Sequence, residues 1–178
     1  MHQLSAIPAA YQQIAAAEYV PPESLYALAM VESARKSTWG ALPWPWTINV
    51  AGKGYRYPSR EAAGKALLGF MQRYPLRHID VGIAQVNLGW NGQYFSSLKN
   101  VFDPYTNLHI AAQILRRCYT TSSGSWLRAS GCYHHPAGGK AASRYITLVR
   151  HQIARVIPRS VLQEESMALA HLNWIEPQ

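Results

Sequence analysis

Ser24-Leu25-Tyr26-Ala27-Leu28-Ala29-Met30-Val31-Glu32-Ser33 is an apolar stretch with a single carboxylate near its end. Leu25, Leu28 and Ala29 precede Glu32 by seven, four and three residues, the spacings that share one side of a helix. Pro21 and Pro22 stop any upstream helix, so a new one starts there with Pro22 near its first position and Glu23 in its first turn. A carboxyl group held against Leu and Ala resists ionisation, because apolar neighbours cannot replace the hydration that its charged form loses. Such a group suits a general acid working near neutral pH. A small change of helix phase would instead leave Glu32 as an ordinary solvated charge, so its meaning depends on what accompanies it.

Helical patterns continue on both sides. The spacing predicts helices near Pro8–Tyr19, Pro22–Arg35, Ser59–Tyr74, Pro104–Tyr119, Ser125–His134 and Ala141–Val156, with a final candidate over Ser160–Leu172. Asp103 before Pro104 reads as an N-cap followed by proline at the first helical position, and Leu108, Ala111, Ala112 and Leu115 then share one face. No repeat and no alternating strand series stands out, so the expected fold is mainly α. Two stretches interrupt the helices. Thr38–Pro58 holds Pro43-Trp44-Pro45-Trp46, Asn49, Gly52, Gly54, Tyr55 and Tyr57, too rich in Pro and Gly for a helix and too aromatic for a passive linker. Asp80-Val81-Gly82-Ile83-Ala84-Gln85-Val86-Asn87 surrounds a glycine with apolar residues and carries two amide side chains. Both are read as cleft-lining segments. Residues 8–157 are expected to form one domain and 158–178 an amphipathic C-terminal tail.

A chain of 178 residues with 48% hydrophobic residues, six Trp and eleven Tyr builds one well-buried domain and is short for two. Seventeen Lys plus Arg against nine Asp plus Glu leave a net charge of +8, which favours polyanions and anionic surfaces, among them nucleic acid, membrane headgroups and bacterial cell-wall polymers. No run of about eighteen apolar residues occurs, so no transmembrane helix is expected. Met1-His2-Gln3-Leu4 begins neither a basic stretch nor a long apolar core, so no signal peptide is visible and a trimmed mature form is expected. Cys118 and Cys132 flank a Thr-Ser-Ser-Gly-Ser reversal; they either pair in an oxidising compartment or stand as two small buried thiols. His134-His135 lacks any second ligand pattern of the His-Glu-x-x-His or Cys-x-x-Cys kind, so neither a metal nor another cofactor is expected.

Three motifs follow one another in this setting: Glu32-Ser33, then Gly82-Ile83-Ala84-Gln85, then Gly131-Cys132-Tyr133-His134 at the end of a short helix. Together they resemble the lytic transglycosylases with the soluble lytic transglycosylase domain, over about Tyr11 to Arg155. The resemblance implies a lysozyme-like α-helical single domain, in which the aromatic Pro/Gly-rich loop lines the cleft. It implies Glu32 as the sole catalytic acid and base, Gly82–Gln85 as one wall of a glycan cleft, and Tyr133 as a tyrosine directed at the catalytic carboxyl. Pro43-Trp44-Pro45-Trp46-Thr47-Ile48-Asn49-Val50-Ala51-Gly52 is similar to the subgroup encoded with conjugation and type IV secretion systems, which implies a periplasmic enzyme working beside such a machine. Ile83 and Ala84 replace the usual Leu and Met, and His134 stands where the family has Asn, adding a titratable group beside the site.

Glycoside cleavage requires a proton for the leaving oxygen and stabilisation of an oxocarbenium-like centre, normally from two carboxylates. Most of the nine acidic residues have tasks away from a cleft: Asp103 as a cap, Glu61 in a first turn, Glu18 and Glu23 as solvent-facing charges, and Glu164, Glu165 and Glu176 in the tail. Asp80 is left as the second carboxylate, or as a loop residue bonding nearby amides. A shortage of carboxylates fits the transglycosylase chemistry that the resemblance implies, where muramic acid supplies its own N-acetyl group and 6-hydroxyl. Ser33 is a candidate to orient the sugar or the carboxyl, Gln85 and Asn87 to bond acetamido groups, and Tyr133 to hold Glu32 or else to be a core aromatic. Trp44, Trp46 and Tyr55 are candidate platforms for pyranose rings, whereas Trp39, Trp90 and Trp126 are read as core. The alternatives are a hydrolytic muramidase using Asp80 and a wall-binding assembly protein without turnover. Nucleic-acid binding by the basic face would be sequence-independent.

Overall fold

The computed structural model describes residues 6–38 and 40–156. The candidate helix Ser160–Leu172 and the tail 158–178 lie outside the described residues, as does Trp39. Among the described residues seven α-helices carry the fold: α1 Ala9–Ala17, α2 Pro22–Ser33, α3 Arg60–Met71, α4 Leu88–Asn91, α5 Pro104–Thr121, α6 Trp126–His134 and α7 Gly139–Ile153. The short strands are β1 Ala34–Ser37, β2 Gly40–Pro43, β3 Thr47–Val50, β4 Lys53–Arg56, β5 Ile79–Val81 and β6 Val86–Asn87. The domain is mainly α and lysozyme-like.

Helix α2 is the hub. Pro22 opens it with no hydrogen-bond donor lost, and residues 24–29 are buried in succession, so the helix is covered on all sides rather than along one stripe. It packs against α1, α5, α6, α7 and β2. Leu25 and Leu28 are fully buried, each worth about 2 kcal/mol by area removed from water. Helix α5 follows its sequence signals: Asp103 accepts from the Thr106 amide at 2.8 Å, Pro104 occupies the first position, and Leu108, Ala111, Ala112 and Leu115 are buried on one face. The Cys118–Cys132 disulfide fastens α5 to α6, resolving the choice between paired and separate thiols.

The region expected to hold only loops contains strands. Helix α2 ends at Ser33 instead of Arg35 because Ala34–Ser37 pairs antiparallel with Gly40–Pro43, Arg35 facing Leu42. A second antiparallel sheet has the order β4-β3-β5-β6. Its register aligns Ile48 with Val81 and Val81 with Val86, all buried, while Asn49, Asp80 and Asn87 form the adjacent row. Period-two alternation therefore turns one face into the core and the row of three polar side chains outward. Glu18 also departs from expectation. It is not solvent-facing: its side chain is 13% exposed and accepts from Gln113 Nε2 at 3.0 Å, with His109 Nδ1 at 2.9 Å.

Candidate active site

Glu32 occupies the last turn of α2, where the helix meets the row Asn49, Asp80 and Asn87 across a cleft of about 760 Å³. Its side chain is 13% exposed. Burial pushes its carboxyl up to about 8, with the nearby Asp80 adding to the rise and a hydrogen bond from Tyr145 opposing it. That hydrogen bond runs from the Tyr145 hydroxyl on α7 to Glu32 Oε1 at 2.7 Å. His134 Nδ1 lies 3.9 Å from the same oxygen, and its ring stacks on Tyr145 with centroids 4.4 Å apart and planes 6° apart. Burial, and then the neighbouring His135, hold the His134 imidazole below its ordinary range, which favours the uncharged ring.

The turn Gly82–Gln85 brings Gln85 to the lining of the same cleft. Gly82 has φ +84°, and a Cβ there would run into the Asn107 amide and the Val101 carbonyl, which excludes other residues. Asn107, fully buried on α5, sets the turn: its Oδ1 accepts from Ala84 N at 2.9 Å, and its Nδ2 donates to the carbonyls of Val81 at 2.9 Å and Val101 at 3.0 Å. Gln85 adopts φ +50°, an uncommon conformation for a residue with a side chain, and its amide nitrogen donates to Gly82 O and Thr47 O.

Gln85, Asn87 and Tyr133 line the cleft with Glu32. Their polar groups are largely engaged within the protein. Asn87 donates to Asp80 Oδ1 at 2.8 Å and to Arg77 O, and its own Oδ1 caps α4 by accepting from the amides of Gly89 and Trp90. Tyr133 does not hold Glu32: its hydroxyl donates to Ala84 O at 2.7 Å, while the phenol that reaches the carboxyl belongs to Tyr145. Asp80 is on a strand, not a loop, and burial raises its carboxyl despite the Asn87 bond that lowers it.

Four residues considered from the sequence do not reach the cleft lining. Ser33 is fully buried and joins three segments, donating to Ile83 O at 2.6 Å, lying 3.2 Å from Ala29 O and accepting from Trp44 N at 3.1 Å. Its hydroxyl is therefore committed to the backbone of these segments rather than to the Glu32 carboxyl. Trp44 donates through Nε1 to Tyr57 O at 2.7 Å, meets Trp46 edge to face at 5.0 Å and carries Arg35 over its ring. Tyr55 packs on Phe70. The exposed indole in the cleft is Trp90, which the sequence placed in the core; it is 71% exposed, on the one-turn helix α4 whose buried residue is Leu88.

The whole arrangement offers one protonated carboxyl, a phenol that steadies it once ionised, and a polar floor. A family model described as "Transglycosylase SLT domain" matches residues 9–157, most of the chain. The chain belongs to the transglycosylase SLT domain family. No curated protein and no solved structure gave a significant match. As an SLT-domain lytic transglycosylase it is a peptidoglycan-cleaving lyase, and the lyase class supersedes the reading of a wall-binding protein without turnover. No helix among the described residues is long and apolar enough to cross a membrane.

Two buried groups that support the SLT cleft were not legible in the sequence, Tyr145 and Asn107. Tyr145 sat in a helix whose apolar spacing with Ala142 and Val149 concealed a polar task. Asn107, the polar residue beside Leu108 on an otherwise apolar face, carried a usable signal: a buried amide must find partners.

Proposed function

We propose that Glu32 is the single acid and base of this lytic transglycosylase and that the reaction splits the bond between N-acetylmuramic acid and N-acetylglucosamine. Glu32 donates its proton to the glycosidic oxygen as the bond to C1 breaks, and the substrate's own N-acetyl oxygen attacks C1 in place of a second carboxylate. The Glu32 carboxylate then removes the proton of the muramyl 6-hydroxyl. That oxygen closes on C1, the N-acetyl group is released, the 1,6-anhydro ring forms, and Glu32 is protonated again. The supporting observation is a carboxyl raised to about 8 in the cleft, hence protonated at neutral pH, with Tyr145 placed to stabilise its ionised form. Gln85, Asn87 and Tyr133 shape the substrate-facing wall.

The test is digestion of purified sacculi with the wild type and with Glu32→Gln, with the products identified by mass spectrometry. Anhydro-muramyl products from the wild type alone support the assignment; equal product from the variant removes Glu32 from the role.

Asp80 favours a second reading. It lines the same cleft and adds to the rise of the Glu32 carboxyl, which supports a reading in which it activates a water in a hydrolytic muramidase. Asp80→Asn would then abolish most activity and the wild type would release reducing ends. The transglycosylase reading expects most activity to survive.

The biological setting we infer is the periplasm, where the enzyme opens local gaps in the wall for a secretion or conjugation apparatus. The motif Pro43–Gly52 supports that reading, with residues 8–157 as the catalytic domain and 158–178 as an accessory segment. Deleting the gene from its host should then lower conjugal transfer or secretion, and Glu32→Gln should fail to restore it.

A further inference from the structure

We propose that Trp90 and Arg117 form a subsite for peptide-substituted glycan, the indole stacking on a pyranose face and the guanidinium pairing with a carboxylate of the stem peptide. The inference rests on the proposed glycan substrate and adds what the cleft selects. Both residues line the cavity that contains Glu32, and Arg117 is the one Lys or Arg among its described lining residues. Trp90 exposes 71% of its surface and so presents an indole at the cleft, an apolar body with a polar N–H that suits the face of a sugar ring. Its backbone is held in place: Asn87 Oδ1 accepts from its amide at 3.2 Å, and Gln93 Nε2 donates to its carbonyl at 3.1 Å. The ring is therefore presented from a fixed turn, at small ordering cost on binding.

Arg117 projects from α5 across to the half-exposed ring of Tyr94, 5.0 Å from its centroid, which fixes the guanidinium at the rim. The close contacts between basic side chains and carboxylates among the described residues are His109 with Glu18 and His134 with Glu32, so no described carboxylate lies within salt-bridge distance of Arg117. Within the cleft, burial raises the Glu32 carboxyl to about 8, so it carries little of the negative charge that a peptide carboxylate would meet at neutral pH. A planar guanidinium beside an aromatic ring suits carboxylate recognition next to a sugar.

The experiment compares wild type, Arg117→Met, Arg117→Lys and Trp90→Ala on glycan chains with intact stem peptides and on the same chains stripped by an amidase. Arg117→Met is expected to lower kcat/KM about fivefold on peptide-bearing chains, with stripped chains unaffected and partial recovery in Arg117→Lys. Trp90→Ala is expected to raise KM on both substrates and leave kcat in place. Equal effects of Arg117→Met on both substrates, or none on either, would overturn the proposal, as would an unchanged KM in Trp90→Ala. Binding of Glu32→Gln to intact and stripped sacculi, with and without Arg117→Met, separates this idea from the reaction assignment. That comparison still reads the subsite if the wild type releases no anhydro product.

Discussion

Tyr145 and Glu32 lie 113 residues apart in the chain and are joined by a 2.7 Å hydrogen bond from phenol to carboxyl. The bond favours the ionised carboxyl and is opposed by burial, which wins. Removing the hydroxyl in Tyr145→Phe keeps the buried ring and its stack with His134. Glu32 should then titrate higher, and its carboxylate form in the second half of the reaction loses a donor. The expected result is an activity loss of about tenfold with the alkaline limb of the pH–rate profile moved upward. A profile that falls uniformly without moving would show that Tyr145 acts on packing alone.

The raised Glu32 carboxyl couples stability to pH. Its value moves from 4.5 unfolded to about 8 folded, so the folded protein holds more protons than the unfolded chain between those limits. The contribution to stability is fully present below 4.5 and is lost as pH rises through about 8. Glu32→Gln removes that dependence and should stand above the wild type in urea midpoint on the alkaline side of this window. Asp80, also raised, keeps a residual slope of the same sign in the variant. Parallel midpoint curves for the two proteins would contradict the assigned burial of Glu32.

The turn Gly82–Gln85 should tolerate little. Gly82→Ala places a methyl group at φ +84° against Asn107 and Val101 O, and is expected to cost about 2 to 4 kcal/mol. Asn107→Ala leaves the Ala84 amide and two carbonyls without their partner, at about 3 kcal/mol. Chemical denaturation checks both, and a loss below about 1 kcal/mol in either would show that the turn forms without them.

The Cys118–Cys132 bridge closes a short loop, with a sequence separation of 14, and Cys132 immediately precedes Tyr133 and His134. Removing both sulfurs in Cys118→Ser/Cys132→Ser should cost about 3 kcal/mol. Activity should fall with it because α6 loses its tie to α5. Thermal melts with and without reductant should differ for the wild type and coincide for the double variant.

Much of the helical frame was legible. Asp103 and Pro104 marked the start of α5 because capping and proline geometry are local, and Pro22 did the same for α2. The stretch Leu25 to Glu32 pointed to a buried carboxyl, since helical spacing alone brings them together. Tyr145 as its partner was not legible, because no periodicity reports which helix packs on which. The strands escaped because none exceeds four residues, too few for alternation to be distinguished from a loop. Trp90 was misplaced in the core for a related reason: hydrophobicity predicts burial on average, and binding surfaces depart from that average. Ser33 was read for its chemistry when its position made it a joint between helix, turn and hairpin.

Asn107 also has a consequence for when the cleft comes into being. The Gly82–Gln85 turn takes much of its shape from an amide 23 residues away in the chain from Ala84, so it cannot be complete before α5 has docked. The Ala84 amide should therefore exchange with deuterated solvent at the rate at which α5 undocks. Exchange at that single position would follow the assembly and opening of the catalytic groove in the folded protein.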